Sequence, residues 1–224
     1  MSTNVPGTTR PPRDSEFASV VADVASCRTC AGMAYAHVLG AANGPLAARL
    51  LIIGEAPGRL GAARTGVPFL GDQSGQRLDV LLQASGLNRS EVFITNAVLC
   101  NPLAREGDQV RNRRPRASEL ASCSSFLERT MGAVPAPVVA ALGGVALAAL
   151  DRIEGHGLTH VSAEAGRPRA WAGRTLIPLV HPSPRTQGRR SWDQQLADWK
   201  QVGMIVANAP HVDPSIDQPH DPVT

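Results

Sequence analysis

The chain has 224 residues, 43% of them hydrophobic and only 4% aromatic, with a formal net charge of +3. That length and apolar content predict one domain whose core is built from small aliphatic side chains in close-packed layers. No apolar run reaches the roughly 18 residues needed to span a bilayer, and the polar, Pro-rich start over residues 1–13 lacks the apolar stretch of a signal peptide, so a cytoplasmic location is expected.

Residues 1–14 and 208–224, rich in Pro, Asp, Thr and His and without periodicity, read as disordered tails around one domain spanning 15–207. Within it, helical spacing of apolar residues predicts a helix over 16–26. The compact run over 49–53, ending at Gly54, reads as a buried strand entering a loop. A helix follows over 75–85 with Leu78, Leu81 and Leu82 on one face, then a strand over 92–98. Residues 118–131 read as a helix, 137–142 as a strand, and Gly143-Gly144 open a helix that runs to 150. A strand over 174–180 leads into His181, and a helix over 191–208 closes the domain. The alternation predicts an α/β fold, a three-layer α/β/α sandwich around a central, mostly parallel four-stranded sheet. Ligands in such sheets sit at the carboxyl ends of strands. Gly54, Asn96, Gly143 and His181 all end or follow expected strands, so four loops should meet on one edge.

The basic residues are one lysine, Lys200, and 21 arginines. Arg105, Arg111, Arg113, Arg114 and Arg116 form one cluster, and Arg185, Arg189 and Arg190 another. A GC-rich genome produces the same bias, but clustering beside the loops described next points to phosphate oxygens, which guanidinium forks suit.

Four cysteines are present, Cys27 and Cys30 as a C-x2-C pair, with Cys100 and Cys123 further on. In a reducing compartment four thiolates with one tight pair suit a tetrahedral metal centre, either zinc or an iron–sulfur cluster. Spacing does not choose between them. Such a centre would tie the N-terminal segment to the loop after Asn96.

Four loops carry the candidate chemistry. In Gly54-Glu55-Ala56-Pro57-Gly58, two glycines let backbone approach a ligand and Pro57 stiffens the turn, which holds the Glu55 carboxylate at a strand end. In the loop from Arg64 to Gly75, Phe69 can stack on a planar base or cap a core cluster, and Asp72 can act as a carboxylate or as a helix cap. Asn96 offers both a donor and an acceptor, the pair that the edge of a nucleobase requires. In His181-Pro182-Ser183-Pro184-Arg185, His181 can donate to an oxygen that becomes anionic, and Ser183 can contact a phosphate.

Taken together and in this order, C-x2-C, GEAPG, TGVPFLG, NAVLC, a further Cys and HPSP resemble the uracil-DNA glycosylase superfamily over residues 27–199. GEAPG and PFLG are similar to its iron–sulfur branch, family 4. Arg64-Thr65-Gly66, Gly71-Asp72-Gln73-Ser74-Gly75 and the arginines after His181 are more similar to family 5, and the stretch between Cys100 and Cys123 is long for family 4. The resemblance implies a DNA-repair glycosylase acting as a monomer on DNA that contains uracil or another deaminated base. Its four cysteines, Cys27, Cys30, Cys100 and Cys123, would hold a [4Fe–4S] cluster in preference to zinc. Gly54, Ala56, Pro57, Gly58, Phe69, Asn96 and Ser183 would bind substrate, and Arg114 and Arg185 DNA. His181 would stabilise the leaving uracil anion, and Glu55 or Asp72 would activate water. Ala56 stands where the best-known branch carries a catalytic aspartate. One branch forms a covalent adduct through a loop histidine; no His occurs between His37 and His156, so no such adduct is expected. The rival expectation is an iron–sulfur protein that binds uracil or abasic sites with little turnover.

Overall fold

The computed structural model describes residues 12–186 and 188–210. In chain order the elements are α1 (Arg13–Ser26), β1 (Met33–Ala34), β2 (Leu50–Gly54), α2 (Ala62–Thr65), α3 (Gln73–Ala84), β3 (Val92–Asn96), β4 (Asn101–Glu106) and β5 (Gln109–Asn112). They continue with α4 (Ala117–Ala133), β6 (Val138–Leu142), α5 (Gly144–Ile153), α6 (Val161–Glu164), β7 (Arg169–Trp171), β8 (Arg174–Leu179) and α7 (Trp192–Asn208).

Strands β2, β3 and β6 are buried along their whole length, as continuous apolar runs require when both faces of a parallel sheet are covered. The sheet order is β3-β2-β6-β8-β7, with the first four parallel and β7 antiparallel to β8. Successive residues of β2 serve opposite layers. Leu51 and Ile53 face Val24 of α1, Leu127 of α4 and Leu150 of α5. Leu50 and Ile52 face Leu81 of α3 with Trp199 and Val202 of α7. Each such side chain contributes about 1.5–3 kcal/mol on burial, which fixes the register of the four parallel strands and therefore the level at which their loops emerge.

The expected four-stranded sheet is in fact five-stranded. Its extra strand, β7, is three residues long and only Trp171 is buried, so no periodicity announces it. A two-residue turn makes it: Ala172 and Gly173 both have positive φ (48° and 70°), the backbone of a tight hairpin. A second departure lies between Cys100 and Cys123. There β4 and β5 form an antiparallel hairpin that joins β1 in a separate three-stranded sheet, β1-β4-β5. The strand expected over 92–98 stops at Asn96.

Helix α1 already begins at Arg13, and the expected tails otherwise fall largely on residues 1–11 and 211–224, which lie outside the described residues. No described helix is long and apolar enough to cross a membrane.

Candidate active site

The carboxyl ends of the parallel strands open into one groove of about 1040 Å³, with Glu55, Phe69, Asn96 and His181 on its walls. At its floor Gly54 pairs in register with Asn96. A Cβ on Gly54 would stand 2.5 Å from Asn96 Oδ1 and 2.8 Å from the Phe69 ring, so only glycine lets both close over the strand end. Asn96 is 2% exposed, yet its amide has no hydrogen-bond partner among the described residues. Asn96 lines the groove, so its donor and acceptor face the open space rather than another side chain.

Phe69 has a left-handed backbone, φ 51°, uncommon for an aromatic residue. Arg89 holds it there. Its guanidinium donates to the carbonyls of Pro68 and Phe69, both at 2.7 Å, and is itself tied to Asp79 at 3.0 Å. The first turn of α3 closes against the same carbonyl: a Cβ on Gly75 would sit 2.0 Å from Phe69 O. The Phe69 ring lies 5.6 Å from the His181 ring, tilted by 34°.

The loop after β8 fixes the state of His181. The Ser183 N–H donates to His181 Nδ1 at 3.1 Å. Thr186 Oγ1 donates to the carbonyls of His181 (2.6 Å) and Ser183 (2.7 Å), locking the turn. Burial pulls the His181 pKa down to about 4, against a weak opposing pull from the Asp72 carboxylate. The ring is therefore neutral near pH 7, and with Nδ1 accepting, its one proton is on Nε2. Burial raises the pKa of Glu55 above its ordinary value, with the Arg114 guanidinium acting the other way. The Asp72 carboxylate caps α3, accepting the Gly75 N–H at 2.9 Å through Oδ1. Its Oδ2 lies where a Cβ on Gly58 or Gly61 would collide, at 3.0 and 2.5 Å.

The loop over 54–58 is clamped from behind. Ala97 and Val98 donate their N–H groups to the carbonyls of Gly54 and Glu55 at 2.9 and 3.1 Å. Asn101 Nδ2 donates to Pro57 O (2.5 Å) and to Asn112 Oδ1 (3.1 Å), and Asn112 Oδ1 also accepts the Arg59 N–H at 3.0 Å. Ala56 lines the groove and also packs toward the thiols, with Cys30, Cys100 and Cys123 around Met33 and Val98. Ser183, Arg114 and Arg185 lie on the groove wall. Arg89, Asn101, Asn112 and Thr186 are absent from the sequence reading; Asn101-Pro102 is a turn dipeptide that could have marked one of them.

All four cysteines carry free thiols, with Cys123 buried and the others half-buried. Burial pushes the Cys123 thiol up to about 11, against a hydrogen bond from the Leu99 backbone, while the other three cysteines add to the rise. The Cys100 thiol is likewise raised by burial, against hydrogen bonds from the His37 and Ala36 backbone. Four gathered thiols met by backbone N–H groups are a donor set that fits a thiolate-held metal centre. Among the described residues, no three His, Cys, Asp or Glu side chains converge as a single metal ion would need.

A family model described as the uracil DNA glycosylase superfamily matches residues 41–202. The chain belongs to this superfamily. A type-4 uracil-DNA glycosylase of Thermotoga maritima is 34% identical over 142 residues, 63% of this chain and 68% of the relative. One from Archaeoglobus fulgidus is 28% identical over 192 residues, 83% of this chain and 91% of the relative. A type-5 uracil-DNA glycosylase of Pyrobaculum aerophilum is 34% identical over 154 residues, 63% and 64% of the two chains. Similarity to both types agrees with the mixture of superfamily features in the groove loops.

Proposed function

We propose that the chain excises uracil from DNA by hydrolysing its N-glycosidic bond and leaving an abasic site. One observation carries the reading: a neutral His181 with its proton on Nε2 shares a groove with the unpartnered amide of Asn96 and the fixed ring of Phe69. The target nucleotide leaves the base stack at a cost of a few kcal/mol. Its flat ring stacks on Phe69, and Asn96 supplies the donor and acceptor that uracil's O4 and N3–H require. As the C–N bond breaks, its electron pair moves onto the base. His181 Nε2–H donates to the oxygen that gains the charge, from a low-dielectric position fixed in advance. Water then bonds to the sugar carbon and passes its proton to the Glu55 carboxylate. Glu55 is the better placed carboxylate to orient that water, because burial lifts its pKa toward working pH and its side chain has no capping duty. Asp72 is engaged at the start of α3 and raises the His181 pKa slightly.

Ser183, Arg114 and Arg185 would hold flanking phosphates, with Gly54, Pro57 and Gly58 letting the strand approach the loop backbone. The residues present fit a [4Fe–4S] cluster on Cys27, Cys30, Cys100 and Cys123. Its support is an all-thiol donor set in which Cys100 and Cys123 are met by backbone N–H groups and Cys30, Cys100 and Cys123 pack together behind the Glu55 loop. Bound, the cluster supplies a cross-link between the segment before β1 and the loop behind Glu55. Acting on DNA, the enzyme would work as a monomer in the cytoplasm. The test is an oligonucleotide carrying one uracil. Release of free uracil, with strand scission only after alkali, supports the reading; an intact strand at enzyme excess contradicts it.

A further inference from the structure

The hairpin β4–β5 belongs to none of the groove's chemistry, yet it is rooted in the groove wall. Asn101 and Asn112 tie its base to the carbonyl of Pro57 and the N–H of Arg59. On the other side Arg113 bonds Leu103 O at 3.1 Å and grips the buried Glu119 with two bonds, at 2.8 and 2.6 Å. An arm bolted at both sides keeps its direction, and preorganised contacts cost less to make.

Its two faces differ. Side chains alternate along a strand, so Asn101, Leu103 and Arg105 share one face of β4. The residues opposite them, Asn112 and Val110, complete that face. It is the face whose asparagines reach the groove loop. Arg105 therefore emerges on the groove side, about 7 Å beyond Leu103. On the outer face Arg111 ion-pairs with Glu106, which cancels its charge locally. Asp108 sits at the tip. Arg105 and Arg59, both exposed, have no carboxylate partner among the described residues, and Arg114 follows on the groove wall. Three guanidinium groups thus lead outward from the groove on one side of the hairpin.

We propose that this hairpin is a phosphate-binding arm for the DNA strand that leaves the groove, with Arg105 as its outer contact. The proposal rests on the glycosylase reading only in taking DNA as the ligand. Its test is the salt dependence of binding to a uracil-free single strand, so that turnover plays no part. Losing one phosphate contact lowers the slope of log K against log salt by about 0.7. Arg105→Gln should show that loss with several-fold weaker binding, Arg105→Lys should recover the slope, and Arg111→Gln should leave it unchanged. Equal effects of Arg105→Gln and Arg111→Gln, or no effect of either, overturn the arm. A wild-type chain that excises uracil while the slope ignores Arg105 overturns the arm alone. A wild-type chain with no affinity for the strand overturns the glycosylase reading as well.

Discussion

The donor role proposed for His181 rests on the turn around it, which sets both its charge and its tautomer. Its pKa of about 4 lies below the ordinary 6.5. The ring resonances should therefore stay constant from pH 8 to roughly 5.5 in NMR titration, and a midpoint near 6.5 would contradict the burial. The stability consequence has a definite sign. As pH falls, the unfolded chain takes up this proton first, so stability is complete above about 6.5 and declines toward 4. His181→Asn should flatten that part of the melting-temperature profile. Glu55 has the opposite shift, raised by burial. The acid limb of the rate profile should accordingly lie above the ordinary carboxylate value of 4.5, and Glu55→Gln should remove it. Phe69→Ala should weaken substrate binding by about 5- to 160-fold, the equivalent of about 1–3 kcal/mol of base stacking. Gly75→Ala should reproduce much of that loss without touching the ring, since the added methyl meets the Phe69 carbonyl at 2.0 Å.

Elements with continuous apolar runs were legible in the sequence because the same residues that drive burial also reveal the strand. That holds for β2, β3, β6 and β8, and for α3, whose Leu78, Leu81 and Leu82 define its buried face. The hairpin β4–β5 was not legible. Its outer residues are exposed, so no hydrophobic pattern specifies it, and what holds it is polar and long-range: Asn101 to Pro57, and Arg113 to Glu119. Likewise β7 depends on a left-handed Ala172, which no propensity suggests. The polar anchor at the hairpin root makes a measurable claim. Arg113→Ala leaves Glu119 buried without its partner, at a cost of about 3 kcal/mol, and should lower the melting temperature by roughly 6–12 °C. A change below about 2 °C would show that the hairpin stands without this pair.

Across the whole molecule, the sheet collects the site. Parallel strands in fixed register bring Glu55, Asn96 and His181 to one edge from positions up to 126 residues apart in the chain, while the thiols gather behind the loop that carries Glu55. Motif order pointed to this gathering, but the tautomer of His181 and the unpartnered state of Asn96 depend on neighbours that only folding supplies. If a [4Fe–4S] cluster occupies the thiols, aerobic purification should yield a coloured protein with about four iron atoms per chain. Cys123→Ser should lose iron and melting temperature together, and one zinc per chain would contradict the cluster. The most direct test of the central claim is single-turnover excision from a uracil-containing single strand, comparing the wild type with His181→Ala at saturating enzyme. Loss of one pre-aimed donor should slow base release by about 100- to 1,000-fold with strand affinity nearly unchanged, whereas an undiminished rate would contradict the role given to His181.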